Sequence, residues 1–187
     1  DRTYEVSVVD VVNPVVFAHA EDLGLTGTEL PEDIDGDSTL LNRIENVRGA
    51  ACEALGYIDD VADSDTVSPG VPKLAFVSGP QSYTTSNGST VDADSLNLTA
   101  RIMSMQKLHP IYAVSGACCT AVAALLPETI PNQVADITGN NITLGHPKGV
   151  MSAEVNVEPE ANAVHSVTVP RTSRRLIEGT AYYQPDA

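Results

Sequence analysis

The residues best suited to chemistry lie around a stretch of twenty residues, from Leu108 to Pro127, that contains no Asp, Glu, Lys or Arg. Small and apolar residues after Ser115 predict a buried helix there, with Ser115 as its N-cap. The first amides of a helix form an anion site where nothing else occupies them. Lys107 and His109 are the ionisable residues just before that end. We therefore expect either a carboxylate site at the start of this helix or a core helix with a capping serine.

A second place for chemistry is the turn GHPKG at residues 145–149, where glycines and a proline restrict the backbone. The turn could present its N–H groups and the Lys148 side chain to an anion, or it could be an ordinary β-turn. Asn13, before Pro14, could bind a ligand carboxylate or stabilise its own turn. We expect the arginines near the carboxyl end to be solvated or ion-paired; these are Arg171, Arg174 and Arg175.

The adjacent cysteines Cys118 and Cys119 could act as a nucleophile or as a proton shuttle. They lie inside the predicted helix, three and four positions past Ser115, so we expect buried and unreactive thiols. Together with Cys52 they form no CxxC pair and no histidine-spaced cluster, which argues against a zinc site and against a disulfide framework. This cysteine usage indicates a reducing, cytoplasmic environment. No glycine-rich phosphate or dinucleotide motif is present.

The formal net charge of the 187-residue chain is -15, and the charge is unevenly distributed. Residues 1–100 contain 18 acidic and four basic residues, whereas residues 101–187 contain seven acidic and six basic residues. No basic stripe is available to neutralise phosphates, so we expect neither nucleic acid nor an anionic membrane as a partner. A membrane span needs about 20 apolar residues, and the predicted buried helix is shorter than that.

The elements that must position these residues are mostly short strands. Val-rich or alternating segments predict strands at residues 4–12, 15–20, 71–77, 96–102, 142–144, 151–157, 164–169 and 175–183. Asn87-Gly88, between polar flanks, predicts a hairpin turn.

A second long helix is predicted from the helical spacing of apolar residues between Asp37 and Tyr57. Asp37 or Ser38 would cap this helix, and Gly56 would end it. Two long helices among about eight short strands predict an α+β fold, in which a curved, mostly antiparallel sheet wraps around the buried central helix.

Five segments carry a resemblance to a known family: NPVVFAHAEDLGLTGTELPEDID, SPGVPKLAFV, ARIMSMQKLHPIYAVSGACCTAVAALLP, GHPKGVM and PRTSRRLIEG. In this order they resemble the PrpF family, which includes 2-methylaconitate isomerases and aconitate or methylitaconate isomerases. The resemblance implies a diaminopimelate epimerase-like fold of two similar domains, each a curved sheet around a central helix, with the active site in the cleft between them. It covers nearly the whole chain and implies that residues 1–187 form a single domain, the carboxy-terminal one, without the amino-terminal domain.

The resemblance also implies how the site is divided. In the family the cysteine and lysine implicated in proton transfer belong to the amino-terminal half, so Cys118 and Cys119 receive no catalytic role. This half would bind the substrate carboxylates. The residues implied for substrate binding are Lys107, Gly145, His146, Lys148, Gly149 and Met151, with Asn13, Ser115 and Gly116 as further candidates lining the cleft. The family turn usually reads GHPSG, so Lys148 replaces a hydroxyl with a cation that could alter carboxylate preference or point to solvent.

The implied chemistry is a 1,3-proton shift, without a cofactor, that moves a double bond in an unsaturated tricarboxylate such as aconitate or 2-methylaconitate. It needs a base, an acid, and cations or N–H donors that stabilise an enolate-like intermediate. The expected partners are the small tricarboxylate and the missing amino-terminal domain, and a homodimer could cover an exposed cleft face. Two alternatives remain. One is an amino-acid epimerase of the same fold, although residues 113–116 lack the thiol expected there; the other is a non-catalytic binding or pairing domain.

Overall fold

The computed structural model describes residues 2–158 and 163–184. Its strands are β1 (Ser7–Val11), β2 (Asn13–His19), β3 (Lys73–Ser78), β4 (Tyr83–Thr84), β5 (Thr90–Val91), β6 (Leu98–Ser104), β7 (Lys107–Leu108), β8 (Asn141–His146), β9 (Gly149–Glu158) and β10 (Ala163–Thr168). Its α-helices are α1 (Pro31–Ile34), α2 (Ser38–Ala54), α3 (Ser64–Val67), α4 (Val114–Leu125) and α5 (Ile130–Val134).

The main sheet has the strand order β1-β2-β3-β6-β8-β9-β10, and β7 pairs with the end of β6. The pairs β2–β3 and β6–β8 are parallel, and the other four neighbouring pairs on this path are antiparallel. A small second sheet consists of β4 and β5. The predicted turn at Asn87-Gly88 joins them, and Gly88 adopts a positive φ of 84°, which confirms the hairpin.

The helix α4 lies in the curve of the main sheet. Every residue from Gly116 to Ala124 is buried, and these residues share one core with apolar side chains of β2, β3, β6, β8 and β9. Alanine and glycine add little bulk, so strands can approach the helix from several sides. The predicted α+β fold with a curved sheet around a buried helix is confirmed. In the described part of the chain, no helix combines the length and apolar character needed to cross a membrane.

The helix α2 covers the opposite face of the sheet. Its apolar residues pack in a second core with Leu74 and Phe76 of β3 and with Met103 of β6. Asp37 caps the helix by accepting hydrogen bonds from the Thr39 and Leu40 amides, both at 3.0 Å. These features confirm the predicted amphipathic helix and its cap.

The strand predicted at residues 96–102 is confirmed as β6, although Leu98–Met103 is buried throughout because helices cover both faces of the sheet. One strand prediction was wrong. Residues 175–183 were predicted as a strand, but residues 169–184 form no strand and are exposed apart from half-buried Val169. A strand needs a pairing partner, and none of the described strands pairs with this segment. Arg175 forms an exposed ion pair with Glu178 there at 2.9 Å, as predicted for this basic cluster.

Candidate functional site

All three lysines of the chain lie at one end of the main sheet, which is termed the lysine edge. The edge comprises Asn13, Lys73, residues 104–107 and residues 147–148. The strand registers place Asn13, Lys73 and residues 104–107 together, since Val15 is opposite Lys73 and Ala75 is opposite Ile102. The turn at residues 147–148 points towards the same end, because β8 runs parallel to β6, but it starts several residues short of that end, since Gly145 is opposite Thr99. A chain with a net charge of -15 thus has its three lysines towards one end of this sheet, where the Asp35 carboxylate accepts from the Leu108 amide at 2.9 Å.

Strand alternation places Lys73 and Lys107 on the face of the sheet that α4 covers. Their neighbours Leu74 and Leu108 pack in the core on the opposite face, with α2. Because successive side chains of a strand point to opposite faces, the two lysines share the α4 face. Ser104 at the end of β6 is directly opposite Lys107 and belongs to the same face.

Lys73 is a cation that the sequence analysis did not single out. Its side chain is half-buried, and it makes no salt bridge or side-chain hydrogen bond with the described residues. Burial, aided by the charge of Arg48, lowers the pKa of Lys73. Burial, aided by the charge of Lys73, also lowers the pKa of His109, so the two side chains are within electrostatic reach of each other. The only feature of the sequence that could have pointed to Lys73 as a site residue was its position at the start of an apolar strand.

The start of α4 differs from the prediction. Ser115 was predicted as the N-cap, but the N-cap is Ala113, which makes no side-chain cap hydrogen bond. Within the described residues, the amides of residues 114–116 have no hydrogen-bond acceptor. Three free N–H groups therefore lie at the positive end of the α4 dipole, near the lysine edge.

Tyr112 explains why the helix begins before Ser115. Its ring is buried, and its hydroxyl lies 3.0 Å from the Thr120 Oγ1 atom, which donates to the Gly116 carbonyl at 2.8 Å. The segment before α4 is thereby fixed along the first two turns of the helix. The chain enters the helical conformation while the serine is already inside it.

The turn at residues 145–149 is held through its carbonyl oxygens. The Tyr83 hydroxyl is within donating distance of the His146 carbonyl, at 2.8 Å, and the Gly149 carbonyl, at 2.7 Å. Gly145 is buried against the same tyrosine: a Cβ there would lie 2.8 Å from Leu96 and 2.9 Å from Tyr83. Gly149 has a φ of +144°, which favours glycine. Both glycines therefore have structural reasons to be in this turn.

Lys148 lies at the tip of this turn with an exposed side chain. Its amide donates to the Nδ1 atom of His146 at 3.2 Å, and the Ser86 amide donates to the Pro147 carbonyl at 2.8 Å. The Lys148 N–H is therefore already occupied within the turn. An anion would therefore be bound by side chains of the turn and not by the Lys148 amide.

His146 is buried, and its pKa is lowered to about 4 by burial, with the positive charges of Arg101 and His109 acting in the same direction. At neutral pH its imidazole is therefore uncharged. Since Nδ1 accepts the Lys148 hydrogen bond, the ring proton lies on Nε2. His146 can donate a hydrogen bond to a ligand, but it adds no positive charge.

Two further candidates occupy different environments on the α4 face. Asn13 is half-buried at the start of β2, after a tight turn in which Val12 has a φ of 70°. Among the described residues, no group hydrogen bonds to its side chain. Met151 is directly opposite Leu144 and packs against the α4 core. Asn13 thus has an amide to offer, whereas Met151 contributes apolar surface.

The cysteines behave as predicted. Burial raises the pKa of Cys118, and it raises the pKa of Cys119 to about 12. The Cys119 thiol donates to the Val9 carbonyl at 3.2 Å. The prediction that these thiols are buried is confirmed, and their raised pKa values favour the thiol form. Across residues 2–158 and 163–184, His, Cys, Asp and Glu form no group of three or more that could hold a metal ion.

Comparison with known proteins identifies what this arrangement is similar to. A family model described as "PrpF protein" matches residues 1–184. The 3-methylitaconate isomerase of Eubacterium barkeri is 39% identical over 183 residues, covering 96% of this chain and 48% of that protein. The 2-methyl-aconitate isomerase of Shewanella oneidensis is 33% identical over 179 residues, covering 94% of this chain and 45% of that protein.

A solved structure shows the same fold. The crystal structure of methylitaconate-delta-isomerase matches with a TM-score of 0.86 and 36% identity, covering 97% of this chain and 50% of that one. The chain therefore spans about half the length of the relatives that it matches.

Proposed function

Because this chain belongs to the PrpF family, we propose that it is the carboxylate-binding half of an isomerase that moves a double bond in an unsaturated tricarboxylate. The observation that carries the proposal is the lysine edge, where three lysines lie at the same end of the sheet as three free amides. The name of one relative, 2-methyl-aconitate isomerase, supports a tricarboxylate, and the name of another, 3-methylitaconate isomerase, indicates a related unsaturated dicarboxylate.

The substrate carboxylates would bind on the α4 face of the lysine edge. Lys73 and Lys107 supply two ammonium groups there, and residues 114–116 supply N–H donors at the helix start. Charge-assisted hydrogen bonds of this kind are about twice as strong as neutral ones. The half-buried position of Lys73 makes its contribution the least screened by solvent. Asn13 and the Nε2–H of His146 would orient the ligand through neutral hydrogen bonds.

The proposed reaction is a 1,3-proton shift that requires no cofactor. A base removes a proton from the carbon next to the double bond, and the electron pair moves onto the adjacent carboxylate as an enolate-like anion. An acid then returns a proton at the far alkene carbon, so the double bond moves and no net oxidation occurs. The lysines and amides of this half would stabilise the anion, because they are already oriented before charge develops.

The base and the acid would come from the other half of the protein. Cys118 and Cys119 are buried with raised pKa values, so neither presents a thiolate at the lysine edge. His146 is neutral and already accepts a hydrogen bond through Nδ1, which leaves it no free lone pair to act as a base. This half would therefore bind and polarise the substrate carboxylates, while proton transfer would require residues outside this chain.

The second half of the protein is the proposed partner. Four apolar or aromatic side chains on residues 169–184 are between 82% and 95% exposed: Leu176, Ile177, Tyr182 and Tyr183. Exposed apolar groups in such number mark an interaction surface. We propose that the amino-terminal domain covers them, with a second copy of this chain as the alternative occupant.

The test compares the complete protein with this chain alone. Loss or gain of ultraviolet absorbance would follow double-bond migration in aconitate, 2-methylaconitate and 3-methylitaconate, so that tricarboxylates and a dicarboxylate are compared directly. We expect turnover from the complete protein, and tricarboxylate binding without turnover from this chain. Turnover by this chain alone would contradict the division of labour proposed here.

The same assay separates the alternatives. A complete protein that binds a tricarboxylate but isomerises none would be a binding or pairing protein. An amino-acid epimerase would instead exchange the Cα proton of an amino acid with solvent deuterium, which NMR would detect. We expect no such exchange.

A further inference from the structure

Arg101 is a buried cation in the third of the five family segments, and neither the sequence analysis nor the proposed mechanism gives it a role. Its side chain is fully buried, with 0% of its surface exposed. Its Nε atom donates to the Glu29 carbonyl, and its Nη1 atom donates to the carbonyls of Ala100, at 2.9 Å, and Gly145, at 3.2 Å. Among the described residues it forms no salt bridge, and its Nη2 atom has no hydrogen-bond partner. Burying an arginine without a carboxylate partner costs folding free energy, and its hydrogen bonds to three carbonyl groups offset that cost.

The position of Arg101 indicates what it supports. Parallel pairing between β6 and β8 ends at Thr99 and Gly145, so the turn that follows Gly145 lies beyond the shared ladder. The Arg101 guanidinium bridges the two strands just past that point, by binding one carbonyl on β6 and one on β8. It replaces the missing ladder bonds at the base of the turn.

Tyr83 extends this support to the rest of the turn. The Arg101 guanidinium lies 5.0 Å from the centroid of the Tyr83 ring, within the range of a cation–π contact. The Tyr83 hydroxyl in turn reaches the His146 and Gly149 carbonyls. Arg101 and Tyr83 together therefore contact three of the carbonyl groups of the turn, those of Gly145, His146 and Gly149.

We propose that Arg101 and Tyr83 are positioning residues that fix the turn at residues 145–149, and with it His146 and Lys148, for tricarboxylate binding. This inference rests on the proposed function, since it assigns the turn to the substrate site. Neither residue touches the substrate: both act through the backbone of the turn.

The test uses the complete protein with two variants and a matched control. Tyr83→Phe keeps the ring over Arg101 but removes the single O–H that the His146 and Gly149 carbonyls share. Arg101→Lys keeps the positive charge but cannot reach three carbonyl groups at once. Tyr57→Phe, at an exposed tyrosine, is the control. Hydrogen–deuterium exchange of the peptide containing residues 145–149 reports the order of the turn, and calorimetric titration with cis-aconitate reports binding.

We expect both variants to remain folded, to exchange deuterium in this peptide about tenfold faster, and to bind cis-aconitate about tenfold more weakly, as the loss of one or two hydrogen bonds implies. The control should change neither quantity. Unchanged exchange in Tyr83→Phe would overturn the proposal, and so would faster exchange with unchanged affinity. If instead the proposed function is wrong, the wild-type protein itself would bind no tricarboxylate, and this result is distinct from a loss of binding in the variants alone.

Discussion

Gly116 of α4 lies so close to Ile102 of β6 that a Cβ atom on the glycine would be 2.5 Å from the Ile102 Cδ1 atom. This is shorter than any ordinary carbon–carbon contact, so the start of the helix and the end of the strand are in contact at a distance that only glycine permits. The contact fixes the free amides of α4 against the strand that leads to Lys107. The close packing of Gly116 against Ile102 therefore also sets the position of the α4 amides in the candidate site.

The first prediction follows from this contact. Gly116→Ala should destabilise the protein by about 1–3 kcal/mol through overpacking, although alanine is the better helix former. Adding Ile102→Val removes the Cδ1 atom and should recover much of that loss in a double-mutant cycle. Gly139→Ala is the matched control, because no atom lies within 4 Å of the Cβ position there. Denaturant unfolding measures the free energy of unfolding of each variant, including Ile102→Val alone, which the cycle requires. A stabilising Gly116→Ala substitution would refute the packing argument.

The lysine edge provides the second prediction. Replacing half-buried Lys73 with Met should weaken tricarboxylate binding about tenfold, because the change removes one charge-assisted hydrogen bond. Lys107→Met and Lys148→Ser should each have a smaller effect, since both side chains are exposed and screened by solvent. Calorimetry at low and high salt measures these affinities, and Arg174→Met in the exposed segment is the control. Equal affinity in the Lys73 variant and the control would remove Lys73 from the site.

His146 makes stability depend on pH. Its pKa falls from 6.5 to about 4 on folding, so the unfolded chain binds a proton first as the pH decreases. The stability that depends on neutral His146 is fully present above pH 6.5 and is lost as the pH falls towards about 4. The loss should reach about 2–3 kcal/mol. His146→Asn keeps a hydrogen-bond acceptor for Lys148 and should flatten this part of the profile. Unfolding free energies at several pH values between 7.5 and 4.5 provide the comparison.

The thiols provide the fourth prediction. A pKa of about 12 leaves Cys119 almost entirely protonated at pH 8, so iodoacetamide should alkylate it at least about 1,000-fold more slowly than a free cysteine. The same chain unfolded in denaturant should react at the ordinary rate, which is the control. In the complete protein, replacing Cys118 and Cys119 with Ala should preserve isomerase turnover. Mass spectrometry and the absorbance assay measure the two effects, and rapid alkylation of the folded protein would contradict the assignment.

Much of the fold could be predicted from local patterns. The absence of charge from Leu108 to Pro127 predicted a buried helix, and the spacing of apolar residues after Asp37 predicted α2 together with its cap. Both patterns reflect which side chains can leave water, and this depends on residue type and short-range spacing. The order of the five motifs identified the family and the fold class.

The cap at Ser115 was predicted incorrectly because its position depends on a tertiary contact. A serine before an apolar run is a good local signal for a helix start. The buried Tyr112 ring and its contact with Thr120 place the start at Val114 instead. Local propensity identified the helix, and packing shifted its first residue.

The sequence by itself determined a small-residue helix in a curved α+β sheet, the family, and the candidates Lys107 and Lys148. Only the tertiary structure placed Lys73 within electrostatic reach of His109, and only the tertiary structure showed that Tyr83 and Arg101 contact the turn at residues 145–149. Periodicity reports which face of an element is buried, but it carries no information about which strands become neighbours. The site depends on register between strands that are distant in the chain, and that register is set by the packing of the whole sheet around α4.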